Sequence, residues 1–251
     1  MSTPAETPAE NSAQNPAQTP GPVVRARGLE LRAGGRTVFS GLDLDVPAGA
    51  TLVVRGPASA GKTSLLLTLA GRMRPTGGEL TVLGEPLPAR AGRVRRRVAL
   101  AEVRGVNELD DALTVEQHIA ERLVLHRPWH RPWVTAEEVA EQLRRVQEDL
   151  ARTAGGGPAS TLRAREFVSD LQPLERLTLG VVLALVGRPD VLVVDDVDSL
   201  RRTEDRRRAW TSLAALQETG DLTVLASCSD SSDIPWRTDD GRILLDLQDE
   251  Q

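Results

Sequence analysis

Residues 56 to 63 read GPASAGKT, a match to G-x-x-x-x-G-K-[ST], and no other stretch so restricts what the chain can fold into. The pattern works only between a strand and a helix, because the loop's N–H groups must converge on an anion while the helix N-terminus adds its dipole. That context is present: TLVVR runs into the loop and SLLLTLAG leaves it. Gly56 and Gly61 let the backbone close around phosphate oxygens, Lys62 reaches the outer phosphates, and Thr63 offers a hydroxyl to Mg²⁺. Pro57, Ala58, Ser59 and Ala60 complete the loop, and Ser64 follows on the helix, so residues 56 to 64 are read together as the phosphate-binding segment. Lys62 is also the only lysine among 31 basic residues.

A second element belongs with the loop. VLVVDD, residues 191 to 196, is four apolar residues followed by two carboxylates, the form of a strand whose first acid approaches Mg²⁺ beside a bound nucleotide. Asp195 takes that role, and Asp196 faces the attacking water. Lys62 and Asp196 are therefore the candidate catalytic residues, and Thr63 with Asp195 the candidate metal ligands.

Around these motifs the chain alternates strands and helices. Residues 1 to 22 are rich in proline and carry no apolar side chain larger than Ala after Met1, so they are expected to be a disordered tail. VVRARGLEL and TVFSGLDLDV read as strands, and in the second Leu42, Leu44 and Val46 alternate with Asp43 and Asp45, as in a half-buried antiparallel sheet. GELTVLG and RRVALAEV read as further strands, and SLLLTLAGRM as a helix. Thr114 with Gln117 and Thr135 with Glu138 have capping-box spacing at helix starts. Val139, Leu143, Val146 and Leu150 form one apolar stripe on the second of these helices, which the Gly155 to Pro158 run ends. LERLTLGVVLALVGRPD is apolar on nearly every face and reads as a buried helix, stopped by Gly187 and Pro189. VLVVDD, LTVLASCS and GRILLDLQ then supply apolar strands for a largely parallel sheet covered on both faces.

Composition narrows the class of function. A formal charge of -5 argues against a protein that coats nucleic acid or anionic lipid. A single cysteine, Cys228, excludes an intramolecular disulfide and a Cys-rich metal site. No apolar run approaches the roughly 18 residues of a membrane span, which leads to the expectation of a cytoplasmic protein. The Arg-rich runs at 93 to 97 and 201 to 208 read as solvated faces, with acidic loops or nucleic acid as the other reading. HRPWHRPW, residues 126 to 133, is either a rigid connection or a docking element, and its His residues are a poor metal site because Pro128 breaks the helix that would align them.

Taken together, the chain resembles the nucleotide-binding subunits of ATP-binding cassette transporters. The likeness runs from residue 23 to about 245 and includes GPASAGKT, AGRMRPTGGELTVLG, LTVEQHI and ALVGRPDVLVVDD in the family's order. It implies an α/β fold of the P-loop NTPase type: a RecA-like parallel sheet, an antiparallel β subdomain and a helical insert from about 104 to 175, all within a domain spanning 23 to 251. It also implies Mg·ATP as ligand, a separate transmembrane permease as partner, pairing with a second cassette in a homodimer or heterodimer, and a place on the inner face of the cell membrane through the permease. Nucleic acid is not expected as a partner.

Set against that resemblance, several positions depart from the family. Ala33 stands where an aromatic residue stacks on adenine. The signature LSGGQ aligns with Leu171, Gln172, Pro173, Leu174 and Glu175, which lack its serine and glycines. Glu102 or Val103 occupies the place of a Gln that senses the γ-phosphate. The catalytic Glu is Asp196, and the switch His is Ser229. The expectation is an ATPase that couples hydrolysis to transport, slow or partner-dependent in turnover. The alternative is a regulatory or structural half of an asymmetric cassette pair with little hydrolysis. A soluble cassette acting on DNA or ribosomes is a third possibility, disfavoured because such proteins carry two cassettes or a long coiled coil.

Overall fold

The computed structural model describes residues 21–130, 133–153, 162–218, 222–235 and 242–247. The expectation for residues 1 to 22 therefore lies, apart from Gly21 and Pro22, outside the described residues, as do the Gly155 to Pro158 stop and the Leu150 side chain.

Two sheets form the body. β1 (Val24–Ala33) and β2 (Arg36–Val46) pair antiparallel through a two-residue turn, Gly34-Gly35, in which both residues have positive φ (58° and 77°). A turn with both central residues left-handed matches the twist of a hairpin, and glycine adopts it without strain. β4 (Gly77–Val82) and β5 (Glu85–Leu87) complete a sheet ordered β2-β1-β4-β5. The predicted alternation on β2 is present, with Leu44 and Val46 buried and Asp43 and Asp45 exposed.

The second sheet is ordered β6-β7-β8-β3-β9 and is parallel throughout: β3 (Thr51–Arg55), β6 (Val98–Leu100), β7 (Val191–Val194), β8 (Thr223–Cys228) and β9 (Arg242–Asp246). Its side chains divide with a period of two. Leu52, Val54, Val191, Val193 and Leu225 join the core shared with the antiparallel sheet and α1 (Lys62–Leu69), whereas Val53, Leu192, Val194, Val224 and Ala226 face the other core. The second core is closed by α5 (Pro173–Leu185), α6 (Thr203–Glu218) and part of the helical region. The apolar runs of β3, β7 and β8 are thus buried on both faces, as parallel strands require, whereas β9 at the sheet edge is only partly buried.

Between β6 and α5 lie α3 (Val115–Leu125) and α4 (Ala136–Thr153). Both predicted capping boxes form. Thr114 N–H donates to Gln117 Oε1 at 2.8 Å while Gln117 N–H donates to Thr114 Oγ1 at 3.3 Å. Thr135 and Glu138 repeat the exchange at 2.8 and 3.2 Å. Val139, Leu143 and Val146 are buried in one stripe on α4.

Three expectations need correction. α1 ends at Leu69 and does not run to Met73, because Gly71 (φ 67°) turns left-handed and its N–H and that of Arg72 cap the Thr68 and Leu67 carbonyls at 3.0 and 2.8 Å. RRVALAEV is not one strand: α2 (Ala91–Arg97) occupies its start, holding Val94 in the core, and only Val98–Leu100 is extended. The Arg run at 201 to 208 is not merely a solvated face. Residues from Thr203 begin α6, and Arg206 donates from Nε to Asp233 Oδ2 at 2.6 Å and from one terminal nitrogen to the Leu200 carbonyl at 3.0 Å.

Candidate functional site

The site forms where β3 and β7 end. In the parallel sheet both C-terminal edges point the same way, so the glycine loop after β3 and the two carboxylates after β7 meet although they lie far apart in sequence. Gly56 N–H continues the sheet by donating to the Cys228 carbonyl at 3.2 Å. A side chain there has no room, because a Cβ would stand 2.5 Å from the Leu247 carbonyl oxygen. Ala60 is buried, its N–H bonded to the Pro57 carbonyl at 3.3 Å. Ser59 (φ 71°) and Gly61 (φ 84°) are left-handed, which bends the loop over the start of α1. A Cβ on Gly61 would lie 2.6 Å from Val38 Cγ1, so this glycine is required by both conformation and space.

The reactive side chains then converge. The Lys62 ammonium donates to the Gly56 and Pro57 carbonyls, each at 2.7 Å, which arches it across the loop. The Thr63 hydroxyl donates to Asp195 Oδ2 at 2.6 Å. Ser227, at the end of β8, donates from its hydroxyl to Asp195 Oδ1 at 2.6 Å and accepts the Asp196 N–H at 2.8 Å. Asp196 is left-handed (φ 52°), a conformation that Asp tolerates better than most residues. Burial pushes its carboxyl pKa up, the charges of Asp195 and Asp198 add to that, and Lys62 and Arg104 oppose it. Ser64 sits on α1, where its carbonyl accepts the Thr68 hydroxyl at 2.7 Å.

Ala58, Ser59, Lys62, Thr63, Asp195 and Asp196 line one cleft of about 680 Å³. Leu171 and Pro173, from the stretch expected to stand in the place of the signature, and Arg176 also line it. Pro173 has no N–H to offer, and Glu175 accepts the Gln172 N–H at 2.8 Å. Ser229 lines the cleft, and its N–H and that of Asp230 both donate to Asp198 Oδ2, the latter at 3.2 Å. Ala33 is exposed at the end of β1. Of the two residues expected at the γ-sensing position, Glu102 lines the cleft, whereas Val103 is buried with its N–H bonded to Asn107 Oδ1 at 2.9 Å. Among the cysteine's surroundings, burial raises the Cys228 thiol to about 12, so it stays protonated and unreactive.

Sequence reasoning missed Ser227, Asp198 and Arg176. Ser227 is a plain serine in an apolar strand, and only the pairing of Val194 with Ala226 brings it beside the two aspartates.

Comparison with known proteins gives a consistent result. A family model described as ABC transporter matches residues 39–199. The Nod factor export ATP-binding protein I of Cupriavidus pinatubonensis is 33% identical over 205 residues, covering 82% of this chain and 58% of that protein. The aliphatic sulfonates import ATP-binding protein SsuB 1 of Mesorhizobium japonicum is 29% identical, covering 88% and 77% respectively. The chain thus spans about three fifths of the length of the Nod factor export relatives (58%, 62% and 61%). Among solved structures, cbiO1 of Clostridium perfringens, part of the ABC transporter complex cbiONQ, superimposes with a TM-score of 0.69 at 15% identity, covering 86% of this chain and 81% of that one. A bacterial ABC transporter cassette solved as a dimer gives the same score and covers 91% and 97%.

Proposed function

The chain belongs to the ABC transporter family, and from that premise we propose that it is the ATP-binding subunit of such a transporter, binding Mg·ATP and coupling its hydrolysis to transport through a separate membrane permease. The observation that carries the reading is the 2.6 Å hydrogen bond from Thr63 to Asp195, which joins the phosphate loop to the acidic strand end.

The donor set suits Mg²⁺, which takes oxygen ligands and keeps few protein contacts beside substrate phosphates. Thr63 Oγ1 and Asp195 would hold it, with Ser227 fixing the second Asp195 oxygen. When bound, the ion supplies positive charge to the phosphate oxygens. Lys62 exchanges its contacts with the Gly56 and Pro57 carbonyls for the outer phosphates, a charge-assisted pairing stronger than the one it leaves. Asp196 orients the attacking water from a backbone held by Ser227. Its carboxylate is one C–C bond shorter than a glutamate's, and the Pro173 stretch brings few N–H donors to a neighbouring subunit's nucleotide. Both features support slow turnover in the isolated chain.

No helix among the described residues is long and apolar enough to cross a membrane, in keeping with a permease on another chain and peripheral attachment at the inner face through it. Pairing with a second cassette, identical or not, belongs to the same reading. The named relatives are ATP-binding proteins of export and import, which supports a transport subunit over the regulatory half of an asymmetric pair.

Calorimetric titration of the full chain with Mg·ATP tests the reading. Lys62→Ala is expected to weaken binding by at least about tenfold, the loss of one charge-assisted contact. Equal affinity in the two proteins would remove the central claim.

A further inference from the structure

The cleft contains a cluster of charges that nucleotide binding by residues 56 to 64 does not use. Arg176, on the first turn of α5, donates to Glu102 in two-pronged fashion, from Nε to Oε2 at 2.8 Å and from a terminal nitrogen to Oε1 at 2.7 Å. Its other terminal nitrogen reaches Asp111, and the Leu109 carbonyl accepts a further bond at 3.2 Å. Glu102 Oε1 also accepts the Leu109 N–H at 3.2 Å. The helix presses on this loop at Gly180, where a Cβ would stand 2.8 Å from the Glu102 nitrogen. Both partners are largely sheltered, with 19% of the Glu102 side chain and 29% of the Arg176 side chain exposed.

Glu102 creates an electrostatic difficulty. It lines the same cleft as Lys62, Thr63, Asp195 and Asp196, so an ionised carboxylate shares the space into which a triphosphate must enter. Like charges in a partly dehydrated cleft repel strongly, because the local dielectric is far below that of water. The two-pronged contact offsets the Glu102 charge and fixes its direction toward α5, while Asp111, which also lines the cleft, is 65% exposed and screened by water.

We propose that Arg176 is the internal counter-ion that lets this cleft accept ATP in the presence of Glu102, so that nucleotide affinity depends on the pair and not on either residue alone. Arg176 is thus a positioning residue: it acts on the nucleotide through Glu102. The inference rests on the reading of the cleft as a Mg·ATP site.

A double-mutant cycle on the full chain tests it, with ATP affinity measured by calorimetry at low and high salt and the thermal midpoint of each protein recorded without nucleotide. Arg176→Gln leaves Glu102 uncompensated and is expected to weaken ATP binding about tenfold, about 1.4 kcal/mol, with the loss shrinking as salt rises. Glu102→Gln is expected to bind ATP more tightly than wild type. The double variant Glu102→Gln/Arg176→Gln is expected to recover from the Arg176→Gln loss to within about twofold of wild type, since neither charge of the pair is then left uncompensated. Arg176→Lys keeps the cation and should retain most of the affinity, which preserves the test where Arg176→Gln does not fold. A double variant as weak as Arg176→Gln, or Arg176→Gln and Arg176→Lys both binding like wild type, would overturn the counter-ion role. Wild-type protein that fails to bind ATP would instead bring down the Mg·ATP reading and this inference with it.

Discussion

Asp195 is held between two hydroxyls, Thr63 on one carboxylate oxygen and Ser227 on the other, each at 2.6 Å. The three residues come from α1, the end of β7 and β8, so the geometry of the metal-binding corner is set by the order of the parallel strands.

Removing the Thr63 hydroxyl tests that corner. Thr63→Ala is expected to weaken ATP binding about tenfold in Mg²⁺ and to leave it almost unchanged in EDTA, because the lost group acts through the metal. Calorimetry in the two buffers decides it. An equal loss in both would mean that Thr63 supports the loop and not the ion.

Asp196→Glu extends the water-facing carboxylate by one methylene. Steady-state phosphate release should rise about tenfold, the scale of a small repositioning of a catalytic group. The left-handed backbone suits Glu less well than Asp, so the thermal midpoint should fall slightly. No gain in rate would show that carboxylate length does not limit turnover.

The pH dependence of stability follows from the raised Asp196 pKa, caused first by burial. A carboxyl that holds its proton more tightly folded than unfolded favours folding while protonated. That contribution is present in acid and is lost as pH rises through the folded pKa, so at neutral pH the ionised group opposes folding. Asp196→Asn should therefore melt higher than wild type at pH 7, with the gap closing toward zero as pH falls to about 3.9, the ordinary Asp value. A gap independent of pH, or of opposite sign, would refute this.

Gly61→Ala meets two obstacles at once, a positive φ and a Cβ 2.6 Å from Val38 Cγ1. The variant should lose about 1–3 kcal/mol of stability and most of its ATP affinity, as read by urea unfolding and calorimetry. Wild-type values in both would show that the loop relaxes freely.

Trp210 is 0% exposed on α6, in the core shared with Leu143, Val146 and Leu179. Trp210→Ala should cost about 3–5 kcal/mol in denaturant unfolding, the range for removing a large buried aromatic side chain. A loss below about 1 kcal/mol would mean that the core repacks around the gap.

The glycine loop, the two aspartates, the alternation on β2, the capping boxes at Thr114 and Thr135 and the buried strands were all legible in the chain, because each depends on local spacing or on a periodicity the residues carry themselves. α2 was not, since its single buried apolar residue, Val94, sets no period among the arginines. Nor did the chain reveal which of Glu102 and Val103 faces the cleft: the two are neighbours, and packing alone decides which is buried. Ser227 and Arg176 carry no motif, and they reach Asp195 and Glu102 only because strand order and the docking of α5 bring distant segments together. What the sequence determined by itself was the chemistry available at each strand end. The tertiary structure alone decided which charges meet, because an ion pair or hydrogen bond requires contact within about 3 Å that no local pattern specifies.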